Sequence, residues 1–223
     1  MKQNIIRKTC QVVPVLLITG ALAACDAHIE ESEETKYPVH VLCVDGTVIP
    51  YSEYEQSKEQ AIAVVFHIGS DGETEGNGYA VYLWDLEPLA FADSIGVKQN
   101  TSADITALDG FENTFALLDA RETSSPLAEK VFDMWRYGQS AYVPSVAQMR
   151  LLYHAKEQIN PIIKMCGGDT ISVEADDCWY WTSTEVNEQQ TAKAWLYSMG
   201  SGTIHDTPKI QAHKSRAIIT LRD

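Results

Sequence analysis

The order of hydrophobic periods predicts an α+β domain in which two helices pack on short mixed or antiparallel sheets and the terminal strands pair. Three observations carry that reading. Apolar runs rich in β-branched residues open the folded part, over residues 39–44, 61–68 and 79–84. Two segments with helical spacing follow, over 126–137 and from Ser145 onward. Aromatic and β-branched runs then return over 179–184, 192–199 and 215–221.

Each element has its own signals. The first strand is closed by the turn Asp45-Gly46. The run over 61–68 is apolar on both faces, which predicts a central strand. Gly69, Gly72, Gly76 and Gly78 then return the chain as a hairpin; they have neither the Rossmann nor the P-loop spacing, so they are read as turn residues. Ser125 and Pro126 suit the cap and first turn of the first helix, whose buried stripe is Leu127, Val131 and Trp135. Ser145 and Gln148 form a Ser-x-x-Gln capping box for the second, with Val146, Met149, Leu152 and Tyr153 on one face. Ile159, Ile162 and Ile163 continue the apolar contact past Asn160-Pro161.

The N-terminus reads as an address. Lys2, Arg7 and Lys8 precede an apolar run over residues 12–24, the layout of a secretory signal and shorter than the roughly 17–25 residues of a spanning helix. Leu22-Ala23-Ala24-Cys25 resembles the lipobox of bacterial lipoproteins, which implies cleavage before Cys25 and acylation of that residue. An ordinary cleaved signal and an N-terminal anchor helix are the alternatives. The next residues carry Asp26, Glu30, Glu31, Glu33 and Glu34 and little that could enter a core, so they are expected to form a solvated tether. The acidic run resembles the signal that carries Bacteroidetes lipoproteins to the outer face of the outer membrane. A linker acidic only for solubility would leave the protein on the periplasmic side. The expected organisation is a signal peptide over 1–24, a tether over 25–37 and one domain over 38–223.

The formal charge of the 223-residue chain is −14, and it falls to −17 once the three cations of the signal are removed. So acidic a surface repels polyanions and argues against nucleic acid as a partner. Lys209, His213, Lys214 and Arg216 form one local basic cluster, read as solvated strand-face residues or, if they share a face, a local offset to that field. Beyond Cys25 the mature chain keeps Cys43, Cys166 and Cys178. In an oxidising compartment Cys166 and Cys178 are expected to pair across the Gly167-Gly168-Asp169 loop, leaving Cys43 buried in the first strand. Cys-x-x-Cys, zinc-ligand and haem spacings do not occur, so no metal or cofactor is expected.

A set of motifs in fixed order resembles one bacterial domain family. It comprises Tyr142-Val143-Pro144-Ser145-Val146-Ala147-Gln148-Met149-Arg150-Leu151-Leu152-Tyr153, Tyr180-Trp181-Thr182-Ser183-Thr184-Glu185, Ala194-Trp195-Leu196-Tyr197, Gly200, Lys214 and Arg216-Ala217-Ile218. Upstream, Asp45-Gly46-Thr47, the run over 61–68 and the segment from Gly110 to Thr114 extend the likeness over nearly the whole mature chain. The family is named after the C-terminal domain of a Legionella collagen-like adhesin and is represented in gut Bacteroidetes lipoproteins. The resemblance implies a C-type-lectin-like fold of the formylglycine-generating-enzyme subtype. It speaks to fold more than to activity.

Departures from the wider superfamily narrow the function. The tripeptides of calcium-dependent sugar binding, Glu-Pro-Asn, Gln-Pro-Asp and Trp-Asn-Asp, are absent, and Cys166 and Cys178 precede the strand region in which the oxidase branch keeps its redox cysteines. The sulfated glycans bound by the collagen-like adhesins call for local positive charge, at odds with −17. Trp181, Trp195 and Glu185 are read as structural, and no catalytic residue is assigned. In the resembling fold the ligand face is built from loops around the late strands, which here contain Trp179, Asn187, Glu188, His205, Asp206 and Lys209. Aromatic, amide, acid and imidazole groups together suit a polyhydroxylated or peptide ligand. The leading expectation is a surface-anchored binding or adhesion module for an extracellular glycan or protein. A structural or tip subunit of a cell-surface assembly is the alternative, with a glycan-active enzyme third.

Overall fold

Strands β1 (His40–Cys43), β2 (Val48–Pro50), β3 (Ala61–Ile68), β4 (Gly78–Tyr82) and β10 (Ile218–Leu221) form an antiparallel five-stranded sheet in the order β10-β4-β3-β1-β2. The computed structural model describes residues 39–69, 76–134 and 141–222. The expectations for the signal, the tether, Cys25, Gly72, Trp135 and Tyr137 lie outside those residues. Lys36–Asp223 forms one compact unit.

β3 is central because both its faces are apolar. Ala61 and Val64 enter one core, whereas Ile62, Ala63 and Val65 enter the other. The first core lies between the sheet and a long helix, α4 (Val146–Met165), whose Val146, Met149, Leu152, Ile159 and Ile163 form the buried stripe. Ser145 starts this helix as the sequence predicts: its Oγ accepts from the Gln148 amide at 3.4 Å, and Gln148 Oε1 accepts from the Ser145 amide at 2.9 Å. The helix runs through Pro161 to Met165, one turn beyond the place where a lost amide most often ends a helix.

The opposite core is closed by α2 (Gly110–Asp119), α3 (Pro126–Phe132) and the large indole of Trp181. Ser125 caps α3 by accepting from the Ala128 amide at 3.2 Å, with Pro126 in the first turn. Gly110 opens α2 where a Cβ would stand 2.3 Å from Gln148 Oε1 and 2.7 Å from the Val143 carbonyl, so close approach dictates glycine there. A short α1 (Tyr51–Tyr54) follows β2.

The late chain builds two further sheets. β6 (Trp179–Glu185), β7 (Lys193–Ser198) and β8 (Ile204–Pro208) form a three-stranded antiparallel sheet, and β5 (Leu86–Ala90) pairs with β9 (Ala212–Ser215). The α+β class is therefore observed, with corrections in detail. The terminal strands share a sheet without pairing, since β4 and β3 stand between β10 and β1. The run over 215–221 is divided: Ser215 ends one sheet and Ile218 begins another, because buried Arg216 and Ala217 carry the chain between them. Among the described residues four helices form where two were expected, the additional ones being the single turn α1 and the ten-residue α2.

Candidate ligand-binding face

Trp179 opens β6, half-buried, at the edge of the core that Trp181 fills two residues later. Strand alternation puts both indoles on one face of the sheet. Trp181 is anchored by donating its indole N–H to the Leu89 carbonyl at 3.0 Å and by tilting against Phe91 at 5.5 Å between ring centroids. Each indole receives an imidazole edge-on: His205 meets Trp179 at 6.0 Å and His213 meets Trp181 at 5.3 Å. His205 is exposed, and its Nδ1 shares a 3.1 Å hydrogen bond with Thr207 Oγ1, which fixes the ring. Burial, and then the neighbouring His205, push the His213 imidazole below its ordinary range, so it is neutral at neutral pH.

Trp179 and His205 are therefore brought together; the other expected ligand residues are not. Asp206 pairs in register with Trp195 while His205 pairs with Leu196, so alternation turns Asp206 to the opposite face, where it bonds Lys193. That lysine holds the Asp206 carboxyl below the usual carboxylate range. Asn187 and Glu188 form the exposed β6–β7 turn, beyond the end of β6 opposite Trp179 and hence about 20 Å along the strand. Asn187 Oδ1 accepts from the Glu188 amide at 3.1 Å and from Gln190 Nε2 at 3.3 Å, and Glu188 has φ of +63°. Both residues shape a turn.

Lys209 corrects the sequence expectation. Its side chain and that of Glu185 are fully buried and bonded to each other. Glu185 Oε1 also accepts from the Gln99 amide at 2.9 Å, and Oε2 accepts from the amide and hydroxyl of Thr101 at 3.1 and 3.0 Å. The carboxylate is thus spent on Lys209 and the loop of residues 99–101, and Lys209 offers nothing to a ligand. The basic cluster dissolves in the same way. Lys214 reaches Asp177 at 2.8 Å and Asp85 at 3.2 Å and lies over the Tyr180 ring; buried Arg216 meets Asp85 at 3.0 Å and the Leu83 carbonyl at 2.7 Å.

The Cys166–Cys178 bond is absent: Cys43, Cys166 and Cys178 are all free thiols. Cys178 Sγ lies 3.3 Å from Ser198 Oγ under the β6–β7 ladder, whereas Cys166 ends α4 against the core between that helix and the five-stranded sheet. Short sequence separation did not bring them together because the segment between them first crosses to Leu83, whose carbonyl accepts from the Asp169 amide at 2.8 Å.

A shallow cavity of about 270 Å³ escaped the sequence reading. Val44, Gln60, Ile62, Tyr82, Trp84 and Met134 line it. Trp84 is 43% exposed, and burial raises the Tyr82 hydroxyl to about 12, leaving it a neutral donor. In the sequence Trp84 is read only as the last residue of the apolar run over 79–84, and its exposure is apparent from the structure. Among the described residues no three His, Cys, Asp or Glu side chains gather as a metal site.

No protein-family model matches the chain, and no curated protein matches its sequence.

Proposed function

We propose that the protein is a lipid-anchored surface module with a C-type-lectin-like domain that binds an extracellular glycan or peptide without metal. The observation that carries this reading is the half-buried indole of Trp179 set edge-on to the exposed His205 at 6.0 Å. A rigid aromatic ring packs on the apolar face of a sugar or a side chain, and an oriented imidazole supplies the polar contact that fixes direction. The ion-paired carboxylates support binding over catalysis: Glu185, at the far end of β6, is enclosed with Lys209, and Asp85 and Asp177 are paired with Lys214 and Arg216. The lipobox-like Leu22-Ala23-Ala24-Cys25 and the acidic residues behind it support display at the outer membrane.

The test is a binding screen of residues 26–223 against host and bacterial glycans and matrix proteins, with and without calcium. A calcium-independent ligand whose affinity falls at least tenfold in Trp179→Ala combined with His205→Ala is the expected result. A ligand indifferent to both substitutions would place recognition elsewhere, and turnover of a glycan would replace binding by catalysis.

A further inference from the structure

Three thiols in the folded domain allow three pairings, and the topology favours one. Cys43, the last residue of β1, is fully buried and stands opposite Ala61 of β3. Residues directly opposite in a ladder point to the same face. Ala61, like Val41 and Val64, faces the core shared with α4, so Cys43 does too. Cys166 closes α4 and packs against that same core.

The two also share an end of the sheet. Two residues after Cys166, Gly168 is so close to Leu83 that a Cβ there would stand 2.5 Å from its carbonyl oxygen. The Leu83 amide in turn donates to Ile62, the neighbour of Ala61, at 3.0 Å. Helix end, β4 exit, β3 start and Cys43 therefore follow one another across the sheet. Burial first, and then the nearness of Cys43, push the Cys166 thiol up to about 11. Cys178 takes no part, being held at Ser198 in the other ladder.

We infer that Cys43 and Cys166 are a redox pair that closes to a disulfide, fastening the first strand of the domain to the C-terminal end of α4. The oxidant is a small-molecule disulfide. The Cys166 thiolate attacks it, because Cys166 is only partly buried, and one small thiolate leaves; the Cys43 thiolate then attacks Cys166 Sγ and expels the second. Two protein thiols lose two protons and two electrons, and the oxidant is reduced to two thiols. Burial keeps both thiols protonated at neutral pH, since each is raised chiefly by desolvation, so closure is slow at pH 7 and accelerates with pH.

Full-length protein purified in detergent and incubated with oxidised glutathione, then mapped without reduction, is expected to yield a linked pair of peptides containing Cys43 and Cys166. The linked form is expected to melt on the order of 10 °C above the reduced form. Cys178→Ala should leave the link intact, and Cys43→Ala should stop Cys166 at a single glutathione adduct. Separate adducts on Cys43 and Cys166 of the unsubstituted chain, free thiols at both after prolonged oxidation, or a Cys166–Cys178 link would each overturn the assignment. Mapping reads the bond itself, so a destabilised variant does not decide the outcome.

Discussion

Breaking the buried Glu185–Lys209 pair is expected to be among the most damaging changes in the domain. Both side chains are fully buried, and Glu185 accepts from two backbone amides and a hydroxyl of residues 99–101 as well as from Lys209. Glu185→Ala leaves an ammonium with no opposite charge and orphans the Gln99 and Thr101 amides. Losing one partner of a buried pair costs about 3–5 kcal/mol, and the orphaned amides place this variant at the upper end of that range. Lys209→Met leaves a carboxylate that still has three donors, which places it near 3 kcal/mol. In a domain of this size a change of 1 kcal/mol moves the melting point by roughly 2–4 °C, so Glu185→Ala should melt about 10–20 °C early. The double variant Glu185→Gln with Lys209→Met removes both charges and keeps an acceptor for the loop, so it should lie within about 2 kcal/mol of the parent. Urea unfolding followed by circular dichroism measures all three, and Glu185→Gln alone closes the double-substitution cycle with Lys209→Met. A Lys209→Met variant within about 1 kcal/mol of the parent, or a double variant worse than Glu185→Ala, would refute the reasoning.

Cys25→Ala should release the protein from membranes, as measured by fractionation and by protease access on intact cells; retention in the membrane would sink the lipoprotein reading. His213 carries a pH dependence: its folded value lies below the ordinary 6.5, so its stabilising effect is complete above pH 6.5 and is lost as pH falls toward the lower folded value. His213→Gln should flatten that part of the stability profile in thermal melts taken across pH 4–7, and an unchanged slope would assign the loss to other groups. Gly110→Ala forces a Cβ to 2.3 Å from Gln148 Oε1 and should cost about 1–3 kcal/mol in the same melts, with a neutral result showing that the capping box can shift.

The elements legible in the sequence are those whose partners lie close along the chain. The capping box of Ser145 and Gln148, the hairpin of β3 and β4, and the two-sided burial of β3 all rest on spacing within one or two elements. β5 is illegible for the opposite reason, and β8 for its composition, although its partner β7 directly precedes it. Leu86–Ala90 contains Pro88 and finds its partner at Ala212–Ser215, while Ile204–Pro208 carries a mixed polar pattern that only its pairing with β7 makes a strand. The cysteines show the same limit, since loop length favoured Cys178 while the strand face favours Cys43.

The candidate site failed in the sequence wherever charge was read without its partner. Lys209, Lys214 and Arg216 lie within eight residues of one another, yet their acidic partners are Glu185, Asp85 and Asp177. Asp85 is more than 120 residues away in the chain and comes within reach only because β5 pairs with β9. Folding therefore uses these cations to neutralise buried Glu185, half-buried Asp85 and surface Asp177, and the excess negative charge stays at the surface. A ligand seated beside Trp179 and His205 meets an aromatic ring and an imidazole within an acidic field, which favours a neutral or cationic glycan or peptide over a sulfated one. Adding heparin to the binding screen separates these cases, because competition by a polyanion would require a positive surface that the paired Lys209, Lys214 and Arg216 do not provide.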